Sequence, residues 1–291
     1  MTIPCNEYVI THTVAEALRI LSESHGEACL VSGGSDLLLE LQQGLRPPVD
    51  ILVDVSEIDE LCSLEMRESE LFIGASVTLA RLAGTPLVGQ HATALSDAAA
   101  LMGNPQVCNV ATIGGNVAHA LPAADGTIAL LALDAQVELA SIAGRRKVPL
   151  QTLFRGPGES TLDPCGDLLV GFYLPPSQPG QSSAFARRVN PQGIALAMLN
   201  LALWLEREEG QIIDIRIAVG PSGPVPMRML AAEKALARQT YSDNLLDDAL
   251  EELLKEALLR TSPHRATATY RRQLAGVLFH EAFTKAWERA K

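Results

Sequence analysis

The segment Val31-Ser32-Gly33-Gly34-Ser35-Asp36-Leu37 joins two predicted elements near the start of this chain of 291 residues. It completes the apolar run Ala28–Val31, which is typical of a buried strand, and it leads into a run at Asp36–Leu41, which predicts a helix that Gly44 can end. Glycines let successive backbone amides converge on an anion, and a helix N-terminus adds partial positive charge. The stretch therefore predicts an anion-binding turn between a strand and a helix.

The residues on either side extend this unit. The spacing Thr13-x-x-Glu16 has the form of a capping box and predicts the start of a helix. The apolar run Ile51–Val53 predicts a strand that returns beside the first. A strand–turn–helix–strand unit follows from these patterns.

A second Gly-Gly pair lies in Thr112-Ile113-Gly114-Gly115-Asn116, and the segment from residue 109 to 116 shows little helical periodicity. Asp125 follows nine residues after Asn116 and precedes an apolar helix predicted over Thr127–Leu133. Asn and Asp side chains can bind sugar hydroxyls, and the small residues between them leave room for a flat ring. Neither glycine pair has the Gly-x-Gly-x-x-Gly or Gly-Lys-Ser/Thr pattern, so a Rossmann fingerprint and a P-loop are excluded.

Composition excludes several classes of function. The net charge is −11, from 23 Lys and Arg against 34 Asp and Glu, which argues against a nucleic-acid partner. No apolar run is long enough to span a bilayer, and the start has no export signal, so a cytoplasmic location is expected. The five cysteines include no Cys-x-x-Cys pair, and no metal site is expected in this chain.

Residues 30–41 and 104–133 resemble the flavin-binding subunit of the molybdenum hydroxylases, the xanthine dehydrogenase and carbon monoxide dehydrogenase group. That family has an Ala-Gly-Gly-Thr-Asp-Leu-type loop, here Val31–Leu37. It also has a Gln-Ile-Arg-Asn-x-Ala-Thr-Ile-Gly-Gly-Asn stretch ending in Pro-Ala-Ala-Asp, here Gln106–Asn116 and Pro122–Asp125. Similar segments continue as far as Tyr270-Arg271, so the resemblance covers almost the whole chain.

The resemblance implies an α+β fold with a two-subdomain, PCMH-type FAD-binding domain at residues 1–176. Its subdomains are expected at about 1–56 and 57–176. A small C-terminal domain at residues 183–291, made of an antiparallel sheet with helices, would follow. The Pro-, Gly- and Ser-rich stretch at 174–183 marks the boundary.

The resemblance also implies which residues bind FAD. Backbone amides of the first loop would wrap the diphosphate, namely Leu30, Val31, Ser32, Gly33, Gly34, Ser35, Asp36 and Leu37. Thr112, Gly115 and Asn116 would contact the diphosphate and ribityl chain, and Asp125 the ribityl hydroxyls. A valine at Gly34 or Gly114 would place its side chain against the diphosphate.

Two further contacts are implied nearer the ring systems. Leu169 would contact the adenine or flavin side, and Arg187 would reach the isoalloxazine. Two positions depart from the family pattern. Cys108 stands where Arg or Lys is usual, and His119 stands where Asn is common. His119 is expected to be a structural or solvent-facing histidine.

The function implied is that of an FAD-carrying electron-transfer subunit, with no catalytic residue of its own for an organic substrate. Electrons from 2Fe–2S centres of a small subunit, fed by the molybdenum cofactor of a large subunit, would pass through FAD to NAD or another acceptor. The complex would be a heterotrimer, single or dimerised. Two alternatives stay open: a self-contained FAD-dependent oxidase or reductase of the same fold, and a cofactor-free interaction subunit. The second alternative rests on Cys108, where the usual basic residue is missing.

Overall fold

The first region of the computed structural model, which describes residues 5–190 and 196–290, is a small parallel sheet with two helices. Its elements are β1 (Glu7–Ile10), α1 (Val14–Glu23), β2 (Ala28–Val31), α2 (Leu37–Gln42) and β3 (Ile51–Asp54). The strand order is β1-β3-β2, and both pairs are parallel. The Thr13 hydroxyl accepts the Glu16 N–H at 3.2 Å, and the Glu16 carboxylate accepts the His12 N–H at 3.0 Å. The predicted strand–turn–helix–strand unit and its helix start are therefore confirmed.

The second region is a five-stranded antiparallel sheet covered by helices. Its strands are β4 (Leu64–Arg67), β5 (Glu70–Gly74), β6 (Gln136–Ser141), β7 (Gly144–Pro149) and β10 (Leu168–Leu174), with a two-stranded hairpin of β8 (Phe154–Gly156) and β9 (Glu159–Ser160). Its helices are α3 (Asp59–Cys62), α4 (Leu79–Gly84), α5 (Pro86–His91), α6 (Thr93–Leu101), α7 (Pro105–Cys108), α8 (Ile113–Ala118) and α9 (Asp125–Ala132), and a 3-10 turn covers Leu150–Leu153. The sheet order is β4-β5-β10-β6-β7. α9 is buried along its whole length, so it forms the centre of this core.

The second Gly-Gly pair is helical, which corrects the expectation of a turn with little helical periodicity. Gly114 and Gly115 lie in the first turn of α8, and the Thr112 hydroxyl caps that turn by accepting the Gly115 N–H at 3.3 Å. A Cβ at Gly114 would lie 2.6 Å from the carbonyl oxygen of Ala75. Because this close packing requires glycine, the segment forms a helix without the apolar periodicity that would indicate one.

The third region is an antiparallel sheet with three helices. Its elements are β11 (Gln181–Val189), β12 (Ala197–Glu208), β13 (Gln211–Gly220), β14 (Met227–Arg228), α10 (Leu230–Leu236), α11 (Asp243–Glu256) and α12 (Ala268–Arg289). The sheet order is β11-β12-β13-β14. The alternating apolar residues of Ile194–Leu205 and Ile212–Val219 predict a hairpin, which β12 and β13 form, although Ile194 lies outside the described residues. An apolar stripe at helical spacing predicts a helix over Asp243–Arg260, and α11 ends at Glu256.

The third sheet contacts helices on both of its faces. One face packs against the C-terminal helices in a separate core that contains Phe279 and Phe283. The other face contributes Phe185, Ala202 and Trp204 to the core of the second region. None of the described helices is both long and apolar enough to cross a membrane.

Candidate cofactor-binding cleft

A cleft of about 210 Å³ opens between the loop after β2 and the N-terminal end of α8. It brings together two sequence-distant segments that were both expected to hold one ligand. The lining residues are Cys29, Leu30, Val31, Ser32, Gly33, Gly34, Ser35, Asp36, Leu37, Glu40, Arg46, Leu79, Ala111, Thr112, Gly115, Asn116, Ala118 and His119. All eight residues expected from the first loop lie on its wall, as do Thr112, Gly115 and Asn116.

The first loop presents a run of backbone donors without acceptors. Within the described ranges, the N–H groups of Ser32–Asp36 donate no hydrogen bond to backbone or side chain. The loop is held instead through the Ser32 hydroxyl, which donates to the Ser76 hydroxyl at 3.0 Å. Because Ser32–Gly34 are half-buried and Ser35 and Asp36 are exposed, this unpaired run beside a cleft is accessible to an anionic ligand.

Two glycines make this loop conformation available for different reasons. A Cβ at Gly33 would overlap the carbonyl oxygen of Val110, so the backbone of the loop packs directly against the backbone of the α7–α8 connection. Gly34 has a φ of +64°, in the left-handed region that favours glycine. The same glycines that allow close packing thus leave the amides turned to the cleft.

The helical side of the cleft is fixed by internal hydrogen bonds. The Asn116 Oδ1 accepts the Thr127 N–H at 3.1 Å, which ties α8 to the start of α9. Thr112 caps α8 and forms a bridge with Thr78. Asn116 therefore lies in the cleft wall, but its side-chain oxygen already has a protein partner.

Four charged or titratable side chains lie at the mouth of the cleft. His119 Nε2 lies 2.9 Å from Glu40 Oε1, and Arg46 Nε donates to Glu40 Oε2 at 2.6 Å. His119 Nδ1 is 4.0 Å from Asp36 Oδ2. Burial alone would raise the pKa of Glu40, but the hydrogen bonds from Arg46 and His119 outweigh it and lower the pKa below its ordinary value. His119 is thus a hydrogen-bonded histidine of the site.

Sequence reasoning missed several lining residues. Glu40 follows Asp36 by one helical turn on α2, so helical spacing could have placed both on the face toward the cleft. Arg46 lies in the loop after α2, where no periodic pattern gives its direction. Cys29 lines the cleft from β2, and burial raises the pKa of its thiol.

Two predicted site residues lie elsewhere, in a buried cluster that joins the second and third regions. The Asp125 carboxylate at the start of α9 accepts a short hydrogen bond from Arg187 Nη1 on β11. It also accepts from Asn200 Nδ2 at 2.5 Å. Arg187 Nη2 donates to the carbonyl oxygen of Leu101, and both charged side chains are 8 % exposed. Burial raises the pKa of Asp125, against the opposing effects of Arg187 and Asn200.

The remaining expected contacts are also separate from the cleft. Leu169 lies buried in β10, opposite Leu139 of β6. The Cys108 thiol at the end of α7 donates to the carbonyl oxygen of Met102 at 2.7 Å. Gly114 is not among the residues that line the cleft, and a Cβ there would meet Ala75. Contact of a valine at Gly114 with the diphosphate stays a prediction.

The part of the chain that the structure describes contains no group of three His, Cys, Asp or Glu side chains that could hold a metal ion. Its five cysteines are free thiols. The chemistry that the cleft offers is therefore anion and polar-ligand binding through backbone amides, small side chains and one arginine.

Two family models match consecutive parts of the chain. The model described as "FAD binding domain in molybdopterin dehydrogenase" matches residues 4–177, and the model described as "CO dehydrogenase flavoprotein C-terminal domain" matches residues 181–286. The first of these spans more than half of the sequence. The chain therefore contains the FAD-binding domain of that family.

Individual proteins agree with the family models. The chain is 31 % identical to the 6-hydroxypseudooxynicotine dehydrogenase complex subunit alpha of Paenarthrobacter nicotinovorans, over 99 % of this chain and 96 % of that protein. It is 29 % identical to a putative xanthine dehydrogenase FAD-binding subunit of Escherichia coli, over 94 % of this chain and 93 % of that one.

A solved structure shows the same fold. The carbon monoxide dehydrogenase of Hydrogenophaga pseudoflava contains a chain that superposes with a TM-score of 0.93 at 28 % identity, covering 100 % of both chains. Since the two family models and the superposition agree, the chain belongs to the FAD-binding subunits of the molybdenum hydroxylase family, of the carbon monoxide dehydrogenase and xanthine dehydrogenase type.

Proposed function

We propose that this chain is the electron-transfer subunit of a cytoplasmic molybdenum hydroxylase complex. In this role it accepts electrons from the 2Fe–2S centres of a small partner subunit and passes them through FAD to NAD or another acceptor. The molybdenum cofactor belongs to a large partner subunit, which transforms the substrate. The observation that carries the proposal is the run of unpaired amides at Ser32–Asp36, facing the capped start of α8 across one cleft.

The residues of the cleft fit a diphosphate. Successive amides and a helix start supply donors and partial positive charge without a cluster of Lys and Arg, which suits a chain of net charge −11. Leu30–Leu37, Thr112, Gly115 and Asn116 are the proposed holding residues. Bound FAD supplies reversible one- and two-electron chemistry, while the chain binds it, orients it and sets its electrostatic surroundings.

Three residues outside the cleft lining stay proposed cofactor contacts, namely Asp125, Leu169 and Arg187. For Asp125 and Arg187, this contact requires a change of hydrogen-bond partner. Arg187 and Asp125 neutralise each other, and each would have to exchange a protein partner for the ligand. Asp125 would contact the ribityl hydroxyls, Leu169 the adenine or flavin side, and Arg187 the isoalloxazine, as the family resemblance implies. The division into a flavin domain at 1–176 and a C-terminal domain at 183–291 is part of the same proposal.

The visible spectrum of the purified full chain tests the cofactor and its redox role. We expect the absorption band of oxidised flavin, its loss on anaerobic addition of dithionite, and its return on addition of NAD if NAD is the acceptor. Return with a quinone or ferredoxin but not with NAD would reassign the acceptor. A colourless protein that takes up no added FAD would leave the cofactor-free alternative.

Purification from the native host separates the two flavin-containing alternatives. We expect a tagged chain to bring down two partners, one containing iron and sulfide and one containing molybdenum. A chain that purifies alone, and that reduces or oxidises small organic substrates by itself, would instead be a self-contained oxidase or reductase.

A further inference from the structure

An arginine in the first turn of α12 has no role in the cleft and no counter-ion. Arg271 is 4 % exposed, and its Nε is buried without an acceptor. Within residues 5–190 and 196–290, no carboxylate forms an ion pair with it. Arg187, which is buried to a similar degree, pairs with Asp125. A buried guanidinium nitrogen without an acceptor is costly, so Arg271 is the exception to be explained.

Two more arginines, Arg260 and Arg265, lie in the loop that leads into α12. Burial lowers the pKa of Arg271, and the charges of Arg265 and Arg260 lower it further. The segment from residue 257 to 280 contains four arginines and no Asp or Glu, although the whole chain carries a net charge of −11. This end of α12 is therefore a positive region on an acidic protein.

The loop before α12 is fixed against the start of the helix. The Thr261 hydroxyl accepts the Ala268 N–H at 3.0 Å, and the Thr267 hydroxyl accepts the Tyr270 N–H at 3.2 Å. The Ser262 N–H donates to the carbonyl oxygen of Ala266 at 2.9 Å. Arg265 is thus held in a closed turn next to the positive end of a helix of 22 residues.

We propose that Arg271, Arg265 and Arg260 form a binding site for an oxyanion, namely a phosphate or carboxylate group. Arginine is suited to this task because its planar guanidinium donates two parallel hydrogen bonds to either group. The group has two sources: free phosphate, or a carboxylate side chain of a neighbouring subunit. This site is separate from the FAD cleft and does not depend on the function proposed above.

Titration of the flavin-loaded full chain with inorganic phosphate tests the site. The melting temperature is followed at constant ionic strength, with sodium chloride replacing phosphate. We expect a saturable rise for the wild type and at least a tenfold weaker apparent phosphate affinity for Arg271→Met. The methionine keeps an unbranched side chain and removes an unpaired charge, so the variant is expected to fold. Arg19→Gln, which changes an exposed arginine of α1, is the matched charge control.

A second variant keeps the test decisive if Arg271→Met does not fold. Arg265→Gln changes a half-buried loop residue and is expected to weaken phosphate binding severalfold, while its flavin absorption stays that of the wild type. The proposal is overturned if the wild type responds to phosphate as it does to chloride. It is equally overturned if Arg265→Gln and every folded Arg271 variant titrate like Arg19→Gln.

The assembled complex distinguishes the two sources of the oxyanion. If a partner carboxylate fills the site, the isolated chain responds to phosphate, the complex does not, and Arg271→Met weakens assembly. If free phosphate is the ligand, both respond. Loss of flavin from the wild type would contradict the proposed function without affecting this site, so the two failures are distinguishable.

Discussion

The cleft and the Asp125–Arg187–Asn200 cluster are both polar, but the cleft has unpaired hydrogen-bond donors whereas the charged groups of the cluster are paired. In the cleft, the amides of Ser32–Asp36 have no acceptor in the described chain. In the cluster, the charged groups satisfy one another across two regions of the fold. The first arrangement leaves donors free for a ligand, and the second joins two regions of the fold, so a cofactor contact there would have to replace a protein partner.

This difference changes how the family resemblance is applied to individual residues. Motif similarity marks Gly33 and Asp125 alike as cofactor contacts. Their surroundings separate them, since Gly33 lines the cleft and Asp125 is tied to Arg187. Four substitutions test that distinction.

Asp125→Ala is expected to have the largest effect. It leaves the Arg187 guanidinium buried without its partner, which costs about 3–5 kcal/mol of unfolding free energy. Urea unfolding of the FAD-free chain measures this loss. The double variant Asp125→Ala/Arg187→Met is expected to regain much of it, and a single-variant loss below about 1 kcal/mol would contradict a structural junction.

Gly114→Ala is expected to reduce stability more than flavin binding. Its Cβ would lie 2.6 Å from both the oxygen and the Cβ of Ala75, and such overpacking costs about 1–3 kcal/mol. Urea unfolding gives the loss, and the flavin content of the folded fraction should match the wild type. Gly89→Ala, where a Cβ meets nothing within 4 Å, is the control. Loss of flavin at unchanged stability would place Gly114 against the cofactor after all.

Gly33→Ala is expected to weaken FAD binding at least tenfold, or by about 1.4 kcal/mol, because the loop must move away from Val110 and its amides lose their common direction. Fluorescence titration of the FAD-free chain gives the dissociation constant. Gly84→Ala, another glycine with open space around its Cβ, should bind FAD as the wild type does. Equal affinities for both variants would remove the loop from the binding site.

Glu40→Gln is expected to have the smallest effect and the opposite sign. It removes a negative charge from the mouth of the cleft and releases Arg46, so FAD should bind about twofold to fivefold more tightly, from roughly 0.5–1 kcal/mol. The same titration at low and high salt measures it. The exposed Glu23→Gln serves as the charge control, and weaker binding by Glu40→Gln would show that Glu40 contacts FAD favourably.

Local sequence patterns predicted the helices and strands whose residues follow a regular pattern. The apolar run Ala28–Val31 forms β2, and the capping box starts α1 as expected. Strand β11 was missed because its serines and arginines interrupt the apolar alternation; Ser182 donates to the carbonyl oxygen of Ala286, a partner 104 residues away. α8 was missed because close packing requires its glycines.

In the site, too, only features with a local sequence pattern could be predicted. The Gly-Gly loop was predictable since the groups proposed to bind the ligand are its own backbone amides. The pairing of Asp125 with Arg187 joins residues 62 positions apart, and no local pattern encodes it. Arg46 enters the cleft from a loop without periodicity, so only the folded chain shows its position.

Hydrogen–deuterium exchange of the peptide that contains Ser32–Asp36, with and without FAD, tests whether these amides bind the cofactor. We predict rapid exchange of these amides in the FAD-free chain and marked protection when FAD binds, because the diphosphate becomes their acceptor. The peptide around Asp125 should change less, since its groups are already paired. Equal exchange at Ser32–Asp36 with and without bound FAD would contradict the account.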